Sequence, residues 1–139
     1  MYIGLLHLHS SLPYITFLLM ALVLVKTIRG WIQKSTFDNA SNKLVLFSMI
    51  TVHIQWTVGA VLYFISPNVL SIGEAMSNSV SRFYALEHPL MMTISLVLIT
   101  IARSKSKKSD DSSNNKSTAI LFLIALACML WALPPSWLA

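Results

Sequence analysis

Charge is scarce in this chain. Only 11% of its 139 residues are Asp, Glu, Lys or Arg, against 55% that are hydrophobic. A soluble globular domain is about a quarter charged, so too little charge is present to solvate the outside of one. The shortage excludes an intrinsically disordered chain and a nucleic-acid-binding domain. Cysteine is scarcer still. Cys128 stands alone, so no intramolecular disulfide can form and a disulfide-stapled secreted module is excluded. Its place inside an apolar run does not favour a reactive thiolate. Acidic residues number five, and two of them, Asp110 and Asp111, fall in a polar linker. There is no nucleophilic serine with a paired base, no HExxH, no CxxC, no glycine-rich phosphate loop and no carboxylate pair flanking a cleft. Hydrolysis and phosphoryl transfer have almost nothing to work with, and the sequence offers no basis for a cofactor-free enzyme.

What the chain has in abundance is long apolar runs. Crossing a hydrocarbon layer of ~30 Å takes about 20 mainly apolar residues in a helix. Four stretches approach that length: Tyr2 to Val25, Leu44 to Ile65, Phe83 to Ala102 and Thr118 to Leu133. None alternates with the period of two that a β-barrel needs. A span must satisfy its own backbone hydrogen bonds, so the expectation is an all-α, four-helix transmembrane bundle forming a single domain. The first run has no preceding Lys or Arg and no small-residue cleavage site, so it reads as a retained helix. The last is short, ends at Pro134-Pro135, and carries Trp131 and Trp137 where interfacial aromatics sit. Tyr2, Tyr14, Tyr63, Tyr84 and Trp31 also read as interface anchors. Trp56 with Gly59 and Ala60 reads as helix packing.

The net charge of +5 is confined to two linkers. Lys26, Arg29, Lys34 and Lys43 stand against Asp38 in the first. Arg103, Lys105, Lys107, Lys108 and Lys116 stand against Asp110 and Asp111 in the third. The positive-inside rule places both in the cytoplasm and both termini outside. Residues 103–117, rich in Ser, Asn and Lys, read as a flexible loop. Its basic cluster is first of all a topology signal, with a lipid-headgroup or partner role as the other reading. Ser71-Ile72-Gly73-Glu74 has capping-box spacing, so a short interfacial helix or a plain loop fits between the second and third spans.

Ionisable groups inside spans are costly and are functional candidates by default. Here they are His7, His9, His53, Glu87 and His88, and all four histidines lie in or beside apolar spans rather than in charged loops. At ~1.5 Å per residue, His7 and His88 each lie ~6–8 Å inside the outer ends of their spans, and His53 is ~10 Å deeper than His88. His7 and His9 are separated by about 200° around a helix. Pro13 removes a backbone donor just beyond them and can open the helix locally.

Three chemistries fit. A b-type haem wants two imidazoles at matching depth on facing helices. His7 and His88 meet that condition, with His53 or His9 in reserve. Gly4 and Ala85 leave room one turn away, and Arg82 is placed to pair with a propionate. A copper site would use His88, Met91 and Met92, which share one helical face, although Met is also common filler. Proton or quinone handling would use Glu87 and His88 with Arg82. The competing structural reading makes the histidines and Gln55 interhelical hydrogen-bonding groups worth roughly 1 kcal/mol each.

His7-Leu8-His9-Ser10, His53-Ile54-Gln55, Tyr63 to Asn68, Glu87-His88 and Met91-Met92 together resemble the small four-helix inner-membrane proteins labelled cytochrome b-like in gram-negative bacteria. The similarity runs from the N-terminus to about Ala102, and more loosely through the last span. The family's first-span motif reads roughly His-x-His-Ser-Gly-Leu-Arg-Tyr. Here Ser11 replaces the glycine and Pro13 the arginine, so any role of that arginine is lost. The resemblance implies a haem-bearing electron-transfer or accessory subunit of a respiratory chain in the bacterial inner membrane. It points to His7, His9, His53, Glu87 and His88. The rival expectation is a non-catalytic accessory or assembly subunit. Either one would sit among other integral membrane subunits, with lipid and no nucleic acid as its surroundings.

Overall fold

A computed structural model describes residues 1–108 and 110–134. Pro135 and Trp137 lie outside the described residues. The chain is helical from end to end: α1 (Tyr2–Gln33), α2 (Asn39–Ile65), α3 (Ile72–Ala75), α4 (Ser79–Arg82), a π-helical turn (Phe83–Glu87), α5 (His88–Ser106) and α6 (Ser113–Trp131). No strand occurs among the described residues. Four helices, counting Ser79–Ser106 as one continuous rod, are long and apolar enough to cross a membrane. The protein is a four-helix, multi-pass membrane bundle. Its packing is cyclic: α1 lies against α2, α2 against α5, α5 against α6, and α6 against α1.

The spans run further than their apolar stretches. At 32 residues, α1 is about 48 Å long, well beyond the ~30 Å hydrocarbon layer. Its last two turns carry Lys26 and Arg29 into the headgroup region. Residues 103–117, expected as a loop, are helical over 103–106 and 113–117, which leaves a short connection between α5 and α6. The physical reason is burial. Asn115 is 1% exposed and donates from Nδ2 to the Ser35 carbonyl at 2.8 Å. Gly30 makes room for it, since a Cβ there would lie 2.6 Å from the Asn115 side chain. Phe37 is fully buried and its N–H donates to the Asp110 carbonyl at 3.0 Å. The two basic linkers are thereby tied together.

Local signals set the helix ends. Lys34 closes α1 in the left-handed region, with φ of 53°. Asp38 caps α2 by accepting from the Ser41 N–H at 2.9 Å, and Asn78 caps α4 by accepting from Val80 and Ser81. The short helix expected after Ser71 is present as α3, but without the reciprocal capping bonds. The Ser71 hydroxyl donates to the Glu74 carboxylate instead, at 2.9 Å. The core mixes large and small groups. Met20, Val23, Phe37, Val45, Ile99 and Phe122 interlock around Ser48, Ser95, Ala102, Ala119 and Ala125. Small residues let membrane helices approach closely where no hydrophobic force pulls them together. Ser95 Oγ also donates to Ala125 O, binding α5 to α6 at 3.0 Å.

Lys26 meets Asp38 at 2.8 Å. That hydrogen bond, followed by the one from the Ser41 N–H, holds the Asp38 carboxyl below the usual carboxylate range. A depressed folded-state pKa stabilises the fold above the unfolded value and loses that contribution as pH falls through the folded one. Asp38→Ala is expected to cost about 1 kcal/mol through the lost cap. Asp38→Asn keeps the cap and is expected to cost under about 1 kcal/mol, because the ion pair is half-exposed. Unfolding titrations in mixed micelles between pH 3 and pH 7 check both. The acid-sensitive component should be smaller in Asp38→Asn than in the parent.

Candidate functional site

Two prolines organise the end of the bundle opposite the basic linkers. Pro13 lies inside α1 and has no N–H to give to the carbonyl four residues back, which is that of His9. An unpaired carbonyl away from water is costly. Here Gln55 Nε2, from α2, donates to it at 2.7 Å. Pro89, in the first turn of α5, brings no N–H to the carbonyls of the π turn before it. The Tyr63 hydroxyl, also from α2, donates to Ala85 O at 2.9 Å. Gln55, Gly59 and Tyr63 are spaced four apart on one stripe of α2. Gly59 is the point of closest approach, because a Cβ there would stand 2.8 Å from His9 Cε1. The π turn just before His88 inserts an extra residue and re-aims the helix, a deviation frequent at functional sites.

The result brings together a different histidine pair from the one expected. His9, not His7, faces His88, with ring centroids 6.2 Å apart and planes at 79°. His7 is exposed on the other side of α1, as the 200° offset between them requires. Depth along a span cannot say which of two neighbouring residues points inward. His53 is exposed, and its Nδ1 is 2.8 Å from the Met49 carbonyl of its own helix. Of the His53–Gln55 pair, only Gln55 bonds across helices. Met92 packs against the hydrophobic core, as filler would. Arg82 Nε meets Glu87 Oε1 at 3.1 Å across the π turn. Phe83 lies beside the His88 ring at 5.7 Å.

The donor atoms describe what the pair can do. His88 Nδ1 is 2.7 Å from Ala132 O, just past the end of α6, where helix carbonyls lack intrahelical partners. A carbonyl only accepts, so Nδ1 carries the proton and Nε2 keeps its lone pair. Histidine ligands of metals are commonly oriented in this way by a second hydrogen bond. His9 Nδ1 is buried without a hydrogen-bond partner, as is Gln55 Oε1. Two imidazoles on opposite sides of one metal ion stand with ring centres roughly 6 Å apart, given metal–nitrogen bonds of about 2 Å. Directly packed aromatic rings span about 4.5–7 Å, so the separation alone does not choose between the two. The donor set discriminates further. No group of three or more His, Cys, Asp or Glu that could hold a bare metal occurs among the described residues. Structural zinc takes four protein ligands and catalytic zinc three. Haem iron brings four equatorial nitrogens of its own and asks the protein for at most two. A pair of imidazoles meets that demand in number.

Sequence reasoning placed Tyr63 at the membrane interface and Gly59 in plain helix packing; both belong to this site. The available signal was a proline four residues after His9 and another four after Ala85.

Gln55→Ala is expected to cost about 1–3 kcal/mol by leaving the His9 carbonyl unpaired. In a Pro13→Ala background the restored N–H takes over that carbonyl, so the same substitution should cost less than half as much. Unfolding titrations of the four proteins check this, and equal costs in the two backgrounds contradict it. No protein-family model matches this sequence, and no curated protein or solved structure matches it either, so the site is read from its geometry alone.

Proposed function

We propose that this protein is a b-type-cytochrome-like component of a bacterial inner-membrane redox chain, serving electron transfer or an accessory role there, with His9 and His88 as the residues that would hold a haem. The observation that carries this reading is the facing pair itself. Two imidazoles stand 6.2 Å apart, one fixed through Nδ1 by Ala132 and the other with a buried nitrogen lacking any partner. When bound, haem supplies reversible one-electron chemistry at a potential tuned by its axial ligands and its surroundings. The chain's own residues supply the rest. Ala132 sets the tautomer and the plane of His88. Gln55 holds the backbone of His9 in place. Gly59 lets α2 close against that ring and exclude water. Arg82, held by Glu87 through Nε, keeps its other N–H groups for an anionic substituent at the bundle's end.

Charge supports an orientation. Nine of the ten Lys and Arg residues lie in or beside the first and third linkers, with Arg82 the exception. The positive-inside rule puts that end in the cytoplasm and both termini outside. The exposed His53 supports a further membrane subunit. An imidazole facing outward from the middle of a span is costly in lipid, and a neighbouring helix would relieve that cost. This same feature favours the second reading, an accessory or assembly subunit with purely structural histidines.

A reduced-minus-oxidised difference spectrum of protein purified from haem-replete cells separates the two readings. The expected result is a b-type spectrum in the parent, in His7→Ala and in His53→Ala, and none in His9→Ala or His88→Ala. A colourless parent with no metal by elemental analysis would overturn the haem reading and leave the accessory one. Loss in His7→Ala with retention in His9→Ala would overturn the ligand assignment.

A further inference from the structure

Between α2 and α5, at the basic end of the bundle, a cleft of about 240 Å³ is lined by Asn39, Asn42, Lys43, Leu46, Arg103 and Lys107. Three of the six are cations and none is a carboxylate. Arg103 is half-buried and held in place by Asn42, with Nη1 donating to Oδ1 at 3.0 Å and to the backbone carbonyl at 3.4 Å. Lys107, the residue that closes α5, stands four after Arg103, an arrangement in which like charges repel. The ion pairs Lys26–Asp38 and Arg82–Glu87 both lie outside this cleft. The neighbouring groove on the far side of α2 differs in this respect. There Lys26 is already matched by Asp38.

The level of the cleft matters as much as its charge. Leu46 lies on its membrane side, and α5 turns from an apolar run to Arg103 and Lys105 at the same height. The site therefore lies where hydrocarbon gives way to headgroups. Basic pockets between transmembrane helices at this level suit anionic headgroups. A preorganised guanidinium suits phosphate oxygens in particular, because its planar fork can bond two of them at once.

We propose that this cleft is a binding site for a phosphate-bearing anion, in which Arg103 forms the directed contact, Lys43 and Lys107 supply charge, and the Asn39 amide adds a donor. The phosphate is carried either by an anionic phospholipid of the surrounding leaflet or by a small soluble molecule.

The test measures lipid retention by native mass spectrometry on the full chain, released from micelles containing equal phosphatidylglycerol and phosphatidylcholine. The expected result is at least tenfold preference for phosphatidylglycerol. Removing the two exposed cations together, Lys43→Gln with Lys107→Gln, should reduce retention about twenty-five-fold, at about fivefold per lysine. A control removes the same charge from the same end but outside the cleft, Lys34→Gln with Lys116→Gln, and should change retention less than twofold. Inorganic phosphate at about 10 mM, enough to compete for an electrostatic phosphate contact, distinguishes the sources. Lipid that stays bound identifies the headgroup as the ligand. Lipid displaced by phosphate in the parent, with phosphate binding lost in the cleft variant, assigns the same residues to a soluble phosphate. Equal retention of the two lipids without phosphate binding would overturn the proposal. So would a control variant as defective as the cleft variant, since that shows only a general surface potential.

Discussion

A peptide carbonyl deprived of its helical partner inside a membrane has to be paired by something else. Proline creates such a carbonyl four residues upstream of itself, and lipid offers no water to solvate it. This chain does so at His9 through Pro13, and at the same end of the bundle Pro89 brings no N–H to the π turn that holds Ala85. Both carbonyls are met by side chains from a single stripe of α2, Gln55 and Tyr63. These two bonds lock α1 and the start of α5 to α2 at fixed heights. The facing of His9 and His88 follows from that registration, with Gly59 permitting the close approach. Hydrophobic burial cannot supply such registration, because lipid-facing and core-facing positions are equally greasy.

The architecture was legible from composition. Four apolar runs and a segregated set of basic residues led directly to a four-helix bundle, and the structure has that form. Helix ends were less legible, because a polar residue ends an apolar run without ending a helix. Asn115 shows why: its amide is buried by a partner 80 residues away, and no local pattern announces that. The site was legible by residue type but not by pairing. The cost of placing ionisable groups in hydrocarbon singled out the histidines, and both His9 and His88 were among them. Choosing between His7 and His9 required the rotational phase of α1, which apolar patterning sets poorly on a helix that is hydrophobic nearly all round. The bond made by Tyr63 was hidden for a related reason. Tyrosine is common at membrane interfaces, and this one, near the end of α2, gives no local sign that its hydroxyl also donates to Ala85.

The two ends of the bundle do different physical work. At the basic end, linkers are tied by Phe37 and Asn115, and cations gather where headgroups lie. At the opposite end charge is sparse and largely self-compensated by Arg82–Glu87, and the polar groups that remain are imidazoles, amides and carbonyls. A low-dielectric setting strengthens each hydrogen bond there and raises the cost of any group left unpaired. Only a few such groups are buried without partners among the described residues, and His9 Nδ1 is one of them.

The dependence of the site on its prolines is tested most directly at Tyr63. Tyr63→Phe removes one hydroxyl and little volume, so its energetic effect isolates the bond to Ala85. The account predicts a loss of about 1–3 kcal/mol in unfolding titrations of the parent and a clearly smaller loss in a Pro89→Ala background, where a new N–H becomes available to the carbonyls of the π turn. A Tyr63→Phe variant as stable as the parent, or one equally destabilised with and without Pro89, would contradict it.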